Sequence, residues 1–235
     1  MAGPVVPESV ISFDGGKRVR PIYFPGCKYT IHSRSGSQKI RNYLCSRHGL
    51  TPTGCCSVHL DRIKKGDTVV YVFPTCGTFI REYTPFAEAV SVWEVLENDE
   101  AFPWPDFRGE KMTVQDCWRV RDNRPLQNAV RHILKRMHIE VVEVEDAFEQ
   151  TDFCGVSFFK PRALRYEKFA PHRFVDLAQD KFVVLPAEEQ AKRMKTYCSR
   201  FTTEKVVCYC TGCLEGLCLG GVQGIHLMDR VTACL

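Results

Sequence analysis

Residues 68–76 read Thr-Val-Val-Tyr-Val-Phe-Pro-Thr-Cys, and residues 205–213 read Lys-Val-Val-Cys-Tyr-Cys-Thr-Gly-Cys. Each begins as a short β-branched, largely apolar run and empties into a cysteine, the pattern of a buried strand that ends at a chemically equipped rim. Laying 72–76 over 206–210 sets Phe79 in the place of Cys213. On the same register Cys27 falls on Cys117, and Gly54-Cys55-Cys56 falls on Phe153-Cys154-Gly155. Internal duplication of this kind implies two related units rather than one continuous domain.

Outward from these two runs, strand and helix patterns alternate. Strands are expected over 19–24, 68–73, 111–115, 139–144 and 205–209. Helices are expected over 37–47, 85–98, 125–137 and 188–200, with Gly49 as a stop after the first and Pro125 as the opening residue of the third. Helices between strands argue for βαβ units and a parallel sheet. The fold expected is therefore α/β, with two related halves, each a small and mainly parallel sheet with flanking helices. Segment 98–111, with two prolines and a glycine among charges, reads as the linker. The halves are then 1–108 and 109–235.

Composition bounds the setting. A chain of 235 residues has core enough to fold without covalent staples. The opening Met-Ala-Gly-Pro-Val-Val-Pro lacks a basic region followed by an apolar stretch, so no secretory leader is read. No apolar run approaches the ~18 residues of a membrane span. A cytoplasmic location is expected, where clustered thiols more often bind metal or react than crosslink. A net charge of +4 is too small to argue for nucleic acid. Its distribution is uneven: 1–66 carries eleven Lys or Arg against three Asp or Glu, a basic surface able to steer an acidic partner or an anionic substrate.

Eight of the thirteen cysteines form the two echoing sets, Cys27, Cys55, Cys56 and Cys76, then Cys117, Cys154, Cys210 and Cys213. Four sulfurs close an all-cysteine zinc site or hold a four-iron cluster. In each half at least two of these positions lie just past the carboxyl end of an expected strand, where open parallel sheets gather ligands. Helix N-termini at that rim favour thiolates. His59, near the cysteine pair, is a second-rank zinc ligand and reads first as a solvated or core histidine. Cys208, two residues before Cys210 on a strand, is the reserve ligand. Cys45, Cys198, Cys218 and Cys234 read as structural or bystander thiols, and His226 as a packing or capping residue.

With these residues in view, the chain resembles the duplicated CCG-type cysteine-rich domain of the heterodisulfide reductase catalytic subunit and its relatives. That family's motif is a lone Cys, then Cys-Cys-Gly, then Cys-x-x-Cys, occurring twice. Asp116-Cys117 with the Pro125 helix, Phe153-Cys154-Gly155, Cys210-Thr-Gly-Cys213-Leu214 and a closing His-containing helix over 224–231 resemble its second repeat. The likeness covers about 23–231. Ser57 stands where the motif has glycine, Phe79 where it has its last cysteine, and Phe153 where it has one of the paired cysteines. Full family motifs supply five cysteines to a noncubane four-iron cluster; here each half offers four.

The resemblance implies an iron–sulfur redox subunit, an oxidoreductase of heterodisulfide-reductase type. In it Cys117, Cys154, Cys210 and Cys213 hold a [4Fe-4S] cluster, cubane or noncubane. Cys27, Cys55, Cys56 and Cys76 hold a second metal site, iron or zinc. It further implies a ferredoxin-like or flavin-containing redox partner, and electron transfer to a disulfide, a quinone-like acceptor or another carrier, with an anionic disulfide or thiol as one substrate class. Two other readings of the same residues stand beside it. One is a zinc-stabilised interaction module without redox turnover. The other is a metal-free dithiol oxidoreductase working through Cys210 and Cys213.

Overall fold

The computed structural model describes residues 21–235, together with the backbone of a short antiparallel pair, β1 (Ser12–Asp14) and β2 (Lys17–Val19). The opening segment 1–7, read above for a leader, lies outside the described residues. The strand expected over 19–24 is not continuous: Val19 ends β2, and β3 is Ile22–Phe24.

Two four-stranded, all-parallel sheets form the frame. The first contains β3, β4 (Thr51–Pro52), β5 (Thr68–Tyr71) and β6 (Glu88–Ser91) in the order β4-β3-β5-β6. The second contains β7 (Lys111–Gln115), β8 (Glu140–Glu143), β9 (Lys205–Cys208) and β10 (Gln223–His226) in the order β10-β9-β7-β8. Numbered within its own half, each sheet runs second, first, third, fourth. The two halves thus share one topology, and the fold is α/β in two related units, as the alternation of patterns required.

Burial explains why the strands read as they do. All four residues of β5 are buried, and in β7 only Lys111 is exposed, because helices cover both faces of a central parallel strand. The edge strands β6 and β8 keep an exposed or half-buried side and carry glutamates.

Helices fill the crossovers. In the first half these are α1 (Cys27–His32), α2 (Arg34–His48), α3 (Cys56–His59), α4 (Pro74–Tyr83) and α5 (Val92–Glu97). In the second they are α6 (Arg124–Arg136), α7 (Leu164–Phe169), α8 (Ala187–Cys198), α9 (Thr211–Leu219) and α10 (Leu227–Val231). α6 begins at Asn123, whose side chain accepts from the Leu126 N–H, and it buries Leu126, Ala129, Val130, Ile133 and Leu134 at helical spacing.

Two expected helices also resolve differently. The helix expected over 85–98 is strand β6 followed by α5, divided at Ser91, whose side chain and Glu94 form a reciprocal capping box. The closing helix over 224–231 likewise resolves into β10 and α10. In both places a strand of about one turn's length was absorbed into a neighbouring helical pattern.

The halves share one core. Phe79, at the position equivalent to Cys213, is buried among Tyr166, Phe169 and Phe174 of the other half. Thr78 Oγ1 donates to the Arg119 carbonyl, and Asn123 Nδ2 donates to Tyr71 Oη. The connecting segment 98–111 is itself packed: Asp99 and Phe102 are buried, with Phe102 edge-on to Tyr43. Among the described residues no helix is long and apolar enough to cross a membrane.

Candidate metal centre

The order second, first, third, fourth reverses direction between the first and third strands of each half. In open parallel sheets that reversal opens a crevice at the carboxyl ends of the strands. Cys27 follows β3 and Cys76 follows β5, while Cys117 follows β7 and Cys210 follows β9. Each half therefore presents two cysteines at its own switch point. Cys55 and Cys56, after β4, and Cys154, after β8, come in from the adjoining loops.

In the second half the Sγ atoms of Cys117, Cys210 and Cys213 lie within 4.8 Å of one another, and all three side chains are buried. Cys154 is also buried, and its thiol is in hydrogen-bond contact with Cys117. Glycines make this convergence feasible. Gly155 has φ +56°, and a Cβ there would lie 1.9 Å from the Gly212 carbonyl oxygen. The Cys154-Gly155 turn can therefore press directly onto the backbone between Cys210 and Cys213. Cys210 is the N-cap of α9, so its sulfur sits at the positive end of a helix dipole.

Within this group protons and charge are divided unequally. The neighbouring Cys117 and Cys213 thiols, with the Arg119 guanidinium, hold the Cys210 thiol well below the ordinary range. Burial raises Cys117 and Cys213 well above it. Burial also works against Cys154, but the Cys117 hydrogen bond and the Arg119 guanidinium outweigh it and lower the thiol to about 7. Arg119 Nε donates to Cys154 Sγ at 3.1 Å. Its Nη1 is hydrogen-bonded to Thr75 Oγ1 in the first half, beside Cys76. The guanidinium also faces the rings of Phe73, Tyr166 and Phe174 at 5.4–5.9 Å. One buried cation thus ties the two cysteine sets together.

Beneath the group a second buried charge fixes the backbone. Asp116 accepts two hydrogen bonds from Arg131 and one from Tyr209 Oη, at 2.7–2.8 Å. The same Tyr209 oxygen accepts the Cys117 N–H at 3.3 Å.

The first-half set is looser and more open. Cys27 Sγ and Cys55 Sγ lie 4.0 Å apart, and Cys27 is exposed. Cys76 donates to Cys56, which lowers Cys56 to about 7 and raises Cys76. Burial and the neighbouring Cys55 raise Cys27.

The lesser candidates fall outside both groups. Cys208 Sγ turns to the Cys210 carbonyl at 3.6 Å rather than to the other sulfurs. His59 lies against Gly54 with its Nδ1 buried and without a hydrogen bond. His226 accepts the Met228 N–H and caps α10, and burial lowers it to about 4, so it is neutral.

A cleft of about 330 Å³ is lined by residues of both halves that neighbour the cysteines, though by none of the eight cysteines themselves. Its walls include Lys28 next to Cys27, Phe73 leading to Cys76, Arg119 on Cys154, and Thr211-Gly212 between Cys210 and Cys213. His32, Lys160 and Arg165 add further basic groups, against the single carboxylate of Glu215, which pairs with Lys160. Arg119 and His32 had no sequence signal beyond their proximity to Cys117 and Cys27.

The donor set fits a metal. Zinc–thiolate bonds of about 2.3 Å at tetrahedral angles set sulfurs roughly 3.8 Å apart, a spacing compatible with the Cys117/Cys210/Cys213 group. A four-iron cluster is larger and requires the same sulfurs to spread. As placed, the buried triad can hold a single metal ion.

No family model matches the chain, and no curated protein does. Among solved structures, an aspartate racemase homologue from Pyrococcus horikoshii is 12% identical over 91% of this chain and 96% of its own, with a TM-score of 0.31. At that TM-score the likeness says nothing about the site.

Proposed function

We infer that the chain is a metal-dependent redox protein of heterodisulfide-reductase type, an iron–sulfur oxidoreductase subunit. The observation that carries this reading is the placement of two cysteine sets at equivalent strand ends, with chain neighbours of both sets lining one basic cleft. A purely structural metal site has no need of such a cleft. Cys117, Cys154, Cys210 and Cys213 would hold one cluster, and Cys27, Cys55, Cys56 and Cys76 a second metal. A bound iron–sulfur cluster supplies one-electron transfer at a potential set by burial and by hydrogen bonds to sulfur.

The chain's own residues have separable tasks. Arg119 compensates the charge of the buried thiolate and links the two sets. Asp116, Arg131 and Tyr209 fix the Cys117 backbone. Lys28, Arg119 and Arg165 make the cleft suited to an anionic disulfide or thiol. The exposed Cys27, with the exposed apolar Ile31 and Val58 close in sequence to the first set, suits the docking of an acidic ferredoxin-like or flavin-containing donor.

The close spacing of the triad favours one second reading, a zinc-stabilised module without turnover. Iron, zinc and acid-labile sulfide per chain, measured on anaerobically purified protein with its visible spectrum, separate the two. About eight irons with matching sulfide, or about four irons and one zinc, support the redox reading. Zinc alone in a colourless protein overturns it.

A further inference from the structure

The wall of the cleft carries His32, which pairs with a carboxylate of the other half behind it. His32, the last residue of α1, places Nε2 2.8 Å from Oδ2 of Asp229 on α10. The other carboxylate oxygen, Oδ1, accepts the Tyr29 hydroxyl at 2.9 Å. Asp229 is therefore held by two side chains of one helical turn, and in return it fixes the imidazole. A carboxylate on Nε2 selects the tautomer with its proton there and leaves Nδ1 free to accept or deliver a proton. Among the described residues no hydrogen bond is made to His32 Nδ1.

The ring lines the cleft, and the side chain is 34% exposed, so it can exchange protons with solvent. The charged groups of the wall and the neighbouring histidine have other tasks. Lys28, Arg119 and Arg165 supply positive charge that suits binding of an anionic ligand. His226, whose ring is 5.9 Å from that of His32, is buried and neutral. Glu215 is engaged by Lys160.

Building on the redox reading of the same cleft, we propose that His32, oriented by Asp229, is the proton donor for reduction of a disulfide bound there. In the balanced step the S–S bond breaks as two electrons arrive from a reduced low-potential iron–sulfur carrier. Two protons are consumed and two thiols form. His32 gives one proton to the departing thiolate and regains it from solvent, which also supplies the second.

The test uses the full, metal-loaded chain, with reduced methyl viologen as donor and dithiodipropionate, a dianionic disulfide, as acceptor. His32→Ala should lower the rate on the order of 10²-fold, while iron content, visible spectrum and reductive bleaching stay as in the wild type. Added imidazole, small enough for the vacated cleft wall, should restore part of the rate. Asp229→Asn should also slow turnover, with no response to imidazole, because His32 still fills its place. Full activity in His32→Ala, or a loss that imidazole does not relieve in a normally loaded variant, overturns the assignment of His32 alone. A wild type that holds iron yet reduces no disulfide overturns the redox reading of the cleft and the assignment with it.

Discussion

Arg119→Leu in the metal-free, reduced protein should reveal how far one guanidinium governs the buried thiolates. Arg119 is 4% exposed, and its Nε lies 3.1 Å from Cys154 Sγ. A unit charge pair at about 4 Å in an effective dielectric of about 20 is worth roughly 4 kcal/mol, before burial is set against it. Linkage gives an independent figure. The Cys154 thiol is lowered from 9.0 to about 7, a difference worth about 3 kcal/mol of folding stability. The Cys117 hydrogen bond supplies part of that, so the share of Arg119 is about 1.5–3 kcal/mol, the range for a hydrogen bond to a charged group.

The sign follows from the direction. A depressed thiol stabilises the fold fully above its unfolded value near 9, and that contribution disappears as pH falls through about 7. The variant's deficit should therefore be largest near pH 9 and shrink toward pH 6. A residue remains at every pH from the lost Thr75 hydrogen bond and ring contacts. For a chain of this length about 2 kcal/mol corresponds to a Tm difference of roughly 4–8 °C. Thermal unfolding followed by circular dichroism across that pH range, under anaerobic reducing conditions, measures it. A deficit that does not change between pH 6 and pH 9 would refute the assignment of Arg119 as the counter-charge of Cys154.

Three other substitutions test separate parts of the structure. Cys210→Ser should remove the metal of the second half while leaving that of the first, read as metal per chain by mass spectrometry of native protein; loss of both, or of neither, contradicts two independent sites. Asp116→Asn should destabilise by about 1.5–3 kcal/mol, because it weakens the charge-assisted hydrogen bonds that the half-buried Arg131 makes to a buried carboxylate while Glu143 still pairs with it. Adding Arg131→Met should recover part of that loss in urea unfolding, and strictly additive costs would speak against the pair. Phe79→Cys places a thiol at the position equivalent to Cys213, yet the ring there is packed against Phe169, Tyr166 and Phe174. It should cost about 2–4 kcal/mol and leave the metal stoichiometry unchanged; a gain of metal would show that the two halves hold metal by the same geometry.

The two-unit frame is legible along the chain, because the signals involved are local. The apolar runs ending at Cys76 and Cys210 mark central parallel strands, since a strand covered on both faces has no polar side to show. The echo of Cys27, Cys55 and Cys76 in Cys117, Cys154 and Cys210 reflects two units of one topology, and chain order carries that directly. Short elements were less legible. β6 and β10, four residues each, run straight into α5 and α10, and a window long enough to detect a helix averages over them.

What surrounds the sulfurs depends on packing between elements distant in the chain. Nothing in Trp118-Arg119-Val120 marks the arginine as the buried cation between the two cysteine sets, because its partners, Cys154 and Thr75, lie 35 and 44 residues away. Likewise, Tyr29 and His32 meet Asp229 across 200 and 197 residues. Local sequence sets which side chains reach a strand end. Which of them share a cleft depends on how one half packs against the other, and that is fixed by the sum of many long-range contacts rather than by any spacing along the chain.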